Sequence, residues 1–308
     1  MHPDEAGTDL FEAQRPRLIR LAYRMLGSVA EAEDVVQDAW LRWRQVDRAQ
    51  VGAPPAFLSR IVTRLCLDTL KSARARRETY VGSWLPEPLV EMPEEASMES
   101  DALTLTLMMA LERLSPLERA AFLLHDVFGV PLNEIAATLD RDPGAVRQLA
   151  VRARKHVQAD GPRYPVARED GDRIAEAFFT ASRSGDLSAL RAMLSDSVVL
   201  RSDGGGKVHA FLNPIAGVER ILRLFRGLAR KAAQSAGKPA AKPATFLKAI
   251  RVDGLPGFAS LERGGVLQVT ALAVADGKIT GIFITRNPDK LGHVARALGL
   301  PPPATPLH

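Results

Sequence analysis

Through the first quarter of the chain, apolar residues return every three or four positions. In "LFEAQRPRLIRLAYRMLG" Leu10, Leu18, Leu21, Ala22 and Met25 fall on one face, which predicts a helix ended by Gly27. "SVAEAEDVVQDAWLRWRQV" predicts a second helix from Ser28, with acids in its first turns. "QVDRAQVGAPP" at 45–55 is a loop marked by Gly52, Pro54 and Pro55, and "PAFLSRIVTRLCLDTLKSARARR" restores the helical period to residue 77. The period then fails over 78–101, returns over 102–158, and breaks again at "DGPRYP", 160–165. From 172 onward "RIAEAFFTASRSG", "DLSALRAML" and "GVERILRLFRGLARKAA" read as helices and "SVVLRS" as a strand. "TFLKAIRVDG", "GFASLERGG", "VLQVTALAVADG" and "KITGIFITRN" read as strands divided by Gly and Asp-Gly turns. Helices followed by a long antiparallel sheet predict a separate α+β domain.

The stretch 78–101 has its own chemistry. Glu87, Glu91, Glu94, Glu95, Glu99 and Asp101 stand without a Lys or Arg from Glu87 onward, and prolines occupy 86, 88 and 93, which describes a linker. Inside it lies "WLPEP". Pro86 and Pro88 push Leu85 and Glu87 out of helical geometry, so the element is a stiff extended ribbon. An apolar pair on such a ribbon predicts a covering surface. Burying Trp84 removes roughly 150–250 Å², worth at most about 4–6 kcal/mol.

Composition narrows the class. With 46% hydrophobic and 25% charged residues in 308, the chain is globular and long enough for about two domains. A net charge of +5 permits a polyanionic partner without requiring one. Cys66 is the one cysteine, so no intramolecular disulfide or cysteine-rich metal site exists, and its apolar context reads as a small buried hydrophobe. No signal-like or membrane-length apolar run occurs, and the expectation is a cytoplasmic protein without membrane attachment, metal or cofactor.

Charge placement is more telling than its sum. In "SPLERAAFLLHDVFGVPLNEIAATLDRDPGAVRQLAVRARKHV" Ser115 caps a helix opened by Pro116, Gly129 ends it, "PLNEIAATL" is a short helix, and Asp142 and Pro143 open another. This is helix-turn-helix punctuation. On the last helix Val146, Leu149, Ala150, Ala153 and Val157 share one face, leaving Arg147, Gln148, Arg152, Arg154 and Lys155 for solvent or a DNA groove. Arg147 and Gln148, near its start, can reach base edges; Arg152, Arg154 and Lys155 suit phosphates. The helix before the linker carries Arg60, Arg64, Lys71, Arg74, Arg76 and Arg77 against the single acid Asp68. Two basic modules joined by a linker could grip two separated stretches of DNA, with affinity falling steeply in salt.

Residues 9–158 resemble an extracytoplasmic-function sigma factor: "LIRLAYRMLGSVAEAEDVVQDAWLRW" is similar to the second conserved region of that family and "LSPLERAAFLLHDVFGVPLNEIAATL…PGAVRQLAVRAR" to the fourth. The resemblance implies core RNA polymerase and promoter DNA as partners. Asp34, Gln37, Asp38 and Trp40 would dock the polymerase clamp; the loop at 45–55 and the following helix would hold the −10 element, and the helix at 143–157 would read the −35 element. The C-terminal part resembles the SnoaL-like cone shared with nuclear transport factor 2. "WLPEP", "DGGGKV" and "NPDKL" resemble motifs of the sigma-factor subgroup that carries such an extension. The implied organisation is multidomain: an all-α sigma region 2 (1–77), a linker (78–101), an all-α helix-turn-helix region 4 (102–160) and an α+β cone (166–308).

The resemblance further implies regulation in cis, with no separate anti-sigma protein. Within Trp84, Leu85, Pro86, Glu87 and Pro88, the hypothesis is that Trp84 and Leu85 dock near Gly204–Lys207, in the loop of Asp203, Gly204, Gly205, Gly206, Lys207 and Val208. Asn287, Pro288, Asp289, Lys290 and Leu291 would form a turn after the last strand, with Asp289 and Lys290 exposed. The glycines read first as a simple tight turn and second as a docking site where another backbone approaches closely. For the cone, an enzyme using Asp203, His209, Asp253 or Glu262 as acid or base and an unidentified small ligand remain rival readings. A helix-turn-helix regulator with a ligand-binding or enzymatic domain is the rival for the whole chain.

Overall fold

The computed structural model describes residues 3–78, 80–91, 105–158, 166–234 and 243–303. Two compact units divide the chain: Met1–Thr79 with Met108–Gly161, and Tyr80–Leu107 with Pro162–His308. That division differs from the expected one. The stretch set apart as a linker falls, from Tyr80 onward, with the C-terminal part, and among its described residues Leu85, Pro86, Glu87 and Pro88 are buried. The two helical modules expected to stand apart fold as one unit.

In the helical unit α1 (Pro3–Leu26), α2 (Val29–Arg44) and α3 (Pro54–Glu78) bury Leu18, Met25, Trp43 and Leu58. Ser28 caps α2 by accepting from the Glu31 amide. Trp43, free in sequence terms to be core or partner-facing, is core: its indole N–H donates to the Gly7 carbonyl at 2.9 Å. Cys66 is fully buried, and burial pushes its thiol far up, which leaves it inert. The second half of the unit holds part of α4 (Leu105–Leu111), α5 (Pro116–Phe122), α6 (Leu132–Leu139) and α7 (Pro143–Gln158). Between Leu123 and Val127 the winding widens to a π-helical turn where a continuous α-helix is expected. The extra residue brings Phe128 beneath the guanidinium groups of Arg17 and Arg24, 5.6 and 5.3 Å from its ring centre.

Arg119 joins the halves. It is 3% exposed, donates to the carbonyls of Met25 (2.7 Å) and Leu111 (3.0 Å), and pairs with Glu112 at 2.7 Å. Its Nε and Nη1 thus meet two carbonyls and a carboxylate, the kind of pairing that burying a charge demands.

The other unit is an α+β cone. Strands β1 (Val90–Glu91), β2 (Leu194–Asp203), β3 (Ile215–Ala216), β4 (Thr245–Val252), β5 (Leu255–Leu261), β6 (Leu267–Ala275) and β7 (Lys278–Thr285) form one sheet ordered β1-β4-β5-β6-β7-β2-β3. Among the described residues only β2 and β7 pair in parallel. The helices α8 (Arg168–Ser184), α9 (Leu187–Met193) and α10 (Val218–Gln234) share a core with the sheet around Phe178, Phe225 and Phe258. A short α11 (Gly292–Ala297) follows the sheet. Leu194, expected at the end of a helix, already has extended geometry and opens β2.

Candidate functional site

The faces expected to meet polymerase and DNA are present but unequally free. On α2 Asp34, Gln37 and Asp38 are exposed, whereas Trp40 is half-buried with its ring 5.0 Å from Phe11. Leu41, missed by sequence reasoning, extends that face at 48% exposure. On α7 Val146, Leu149, Ala150 and Ala153 are buried, Val157 is half-buried, and Arg147, Gln148 and Lys155 are exposed. Asp142 accepts from the Ala145 amide at 2.9 Å, fixing the N-terminus of α7. Two of the five polar residues are not idle: Arg152 pairs with Glu118 at 3.1 Å and Arg154 with Asp126 at 2.6 Å. Glu118 also completes a capping box with Ser115. Although burial pushes the Glu118 carboxyl up, the Ser115 hydrogen bonds and the charges of Arg152 and His156 hold it below the usual range.

On α3 the departure is larger. Arg64, expected to face DNA, donates instead to the α6 carbonyls of Thr138 (3.1 Å) and Ala137 (3.3 Å), a cation at a helix C-terminus. Lys71 pairs with Asp68 at 2.8 Å, and Arg60 is half-buried. The side chains of Arg74, Arg76 and Arg77 lie outside the described residues.

The ribbon 80–91 and the cone meet around Asp203, which is fully buried. Its Oδ1 accepts from the Tyr80 hydroxyl (2.5 Å) and the Gly205 amide (3.0 Å); its Oδ2 accepts from the Leu85 amide (2.9 Å) and Lys290 (2.8 Å). Lys290 also donates to the Leu85 carbonyl and lies over the rings of Trp84 (4.2 Å) and Tyr80 (5.2 Å). The Lys290 side chain is 12% exposed, so its expected exposure is corrected: the local turn gave no sign of a carbonyl and two rings arriving from 205 residues earlier. Burial and the adjacent Asp203 carboxylate push the Tyr80 phenol well up, keeping it a donor.

The expected anchor shifts by one residue. Leu85 is 1% exposed and Trp84 only half-buried, so Leu85 carries the apolar hold, about 1.5–3 kcal/mol. Pro86, Glu87 and Pro88 are buried behind it. "DGGGKV" is a tight turn and a contact surface together. Gly205 has φ +63°, and a Cβ there would lie 2.4 Å from Asn287 Nδ2; Gly206 at φ +72° faces Val81, whereas Gly204 is packed on the Val208 carbonyl of its own loop. Asn287 in turn donates to the Tyr80 hydroxyl at 2.9 Å, Pro288 and Leu291 are buried, and the exposed Asp289 pairs with Lys207 at 2.6 Å.

Farther along, the Leu89 amide donates to Asp253 Oδ2 at 3.2 Å, and Val90 pairs with Val252 in the sheet. His293 places Nε2 2.7 Å from the Pro88 carbonyl and Nδ1 3.1 Å from Glu87, an ion pair when the ring is protonated. Tyr80, Asp253 and His293 were not singled out as holders of the ribbon, and nothing local marks them.

The rival acid–base set does not converge. Asp203 and Asp253 are bonded to the ribbon, Glu262 pairs with Arg183 and accepts from Ser260 at 2.8 Å, and His209 is exposed.

Comparison with known proteins agrees with this layout. Residues 10–76 match the family model for sigma-70 region 2, and residues 104–157 that for sigma-70, region 4. The ECF RNA polymerase sigma factor SigJ of Mycobacterium tuberculosis is 38% identical over 296 residues, 91% of each chain. The crystal structure of the extracytoplasmic function sigma factor SigJ from that organism superimposes with a TM-score of 0.73 at 33% identity, covering 92% of this chain and 98% of that one. The sigma factor RpoE of Bartonella quintana, solved in complex with the anti-sigma factor NepR, matches at a TM-score of 0.40 and 21% identity over 50% of this chain and 94% of that one. Sequence identity along nearly the whole length, two matched regions and a helix-turn-helix built as the sequence predicts place this chain in the extracytoplasmic-function branch of the sigma-70 family of RNA polymerase sigma factors.

Proposed function

We propose that this alternative sigma factor controls itself by holding its own "WLPEP" ribbon in the cone. The observation that carries the reading is the buried Asp203–Lys290 pair, which grips both the amide and the carbonyl of Leu85. The ribbon belongs to the one covalent connection between the region 2 and region 4 helices, so its hold sets how far apart those helices can reach. A released segment lengthens the tether by up to ~3.3–3.6 Å per residue.

On this reading Asp34, Gln37, Asp38 and Trp40 dock core polymerase, and Arg60, Arg64, Lys71, Arg74, Arg76 and Arg77 hold the −10 element. Arg147, Gln148, Arg152, Arg154 and Lys155 meet the −35 element. Arg64 must leave the α6 carbonyls to reach DNA, so promoter engagement opens the helical unit. Control in cis, with no separate anti-sigma protein, is part of the same reading.

The test is reconstituted transcription with core polymerase on promoters whose −35 to −10 spacing is varied. The full chain should prefer a narrow range of spacings, and Asp203→Ala should broaden it. An unchanged spacing profile, with the ribbon shown to be released, would sink the tether idea.

A further inference from the structure

The cone carries an open-mouthed cavity of about 690 Å³, within the range of small-molecule sites. Its walls are apolar and aromatic, including Phe178, Phe211, Phe225 and Phe258, and its charged lining is lopsided. Arg183, Lys231, Arg263 and Arg286 face a single carboxylate, Glu262, among the described residues. Glu262 already accepts from Arg183 and Ser260, so one acid compensates the inner pair of guanidinium groups.

Those guanidinium groups are under-used. Each has five N–H donors. Arg286 donates from Nη1 to the His209 carbonyl at 2.6 Å, Arg183 donates to Glu262, and the Nε–H of each is buried without a hydrogen-bond partner. Burial lowers the Arg286 pKa, and the nearby Arg183 charge lowers it further while Glu262 opposes both. Two cations sharing one acid at the wall of an apolar chamber leave a positive site that an incoming anion would neutralise.

We propose that the cavity binds a small amphiphilic carboxylate, its acid group on Arg286 and Arg183 and its apolar body among the phenylalanines. A planar carboxylate matches the fork of a guanidinium, and a long apolar body matches the remaining wall. Neither a neutral lipid nor a bare inorganic anion satisfies both halves.

Calorimetric titration of the full chain with decanoate, decanol and inorganic phosphate tests this. Decanoate should bind one per chain, and decanol and phosphate each roughly tenfold or more weaker. Arg286→Met should weaken decanoate roughly tenfold to a hundredfold and leave decanol unchanged. Arg183→Met provides the same reading if Arg286→Met lowers the melting temperature. Leu228→Trp, at a 37% exposed wall position, should block decanoate without altering the fold. The proposal is overturned if decanoate does not bind, if decanol or phosphate binds as well as decanoate, or if neither arginine variant that keeps its fold weakens decanoate.

Discussion

At the scale of single residues, the ribbon's hold is concentrated in a few buried polar atoms. Asp203→Ala strands Lys290 beside two rings with no carboxylate, and breaking a buried pair in this way costs about 3–5 kcal/mol. Hydrogen–deuterium exchange should then show faster exchange of the Leu85 amide. Gly205→Ala should also loosen the hold, because φ +63° costs a side chain about 1–2 kcal/mol and Asn287 leaves no room for the Cβ. His293 adds a pH dependence. Burial alone would lower its pKa, but the Glu87 carboxylate and the Pro88 carbonyl outweigh that and raise it. Its contribution is therefore full below about pH 6.5, the ordinary value, and lost as pH rises through the raised folded value. Protection of the amides within 84–91, taken relative to intrinsic exchange at each pH, should fall on the alkaline side, and His293→Gln should flatten that fall.

At the scale of elements, the helix-turn-helix was legible because its signals are local. Ser115 and Glu118, Asp142 and Ala145 are three residues apart, and capping chemistry works at that distance. Asp142→Ala should cost about 0.5–2 kcal/mol, read as a lower melting temperature and weaker −35 binding. The ribbon's partners were not legible in the same way. Tyr80 and Asp203 are 123 positions apart, and nothing near either residue names the other. Likewise Arg64 reads as a promoter-facing cation from the basic run on its helix and the family resemblance, and only the fold reveals the α6 carbonyls that occupy it. The motif "NPDKL" was placed as a turn, and Asn287 does cap one, but its lysine turns inward.

At the scale of the whole molecule, residues 80–91 of the stretch joining the region 2 and region 4 helices belong to the cone unit. Gln148→Ala should relax −35 discrimination by about 1–3 kcal/mol, measured as promoter selectivity with core polymerase, irrespective of the ribbon. The chain order also has a use beyond tethering. Val90 and Glu91 pair with Val252 and Arg251 at the end of strand β4, and cover that part of an edge whose backbone groups would otherwise stand unpaired. The ribbon is thus a stopper at one end of an adhesive edge: a fragment beginning at residue 166 should self-associate in sedimentation at lower concentration than the full chain, which carries its own stopper.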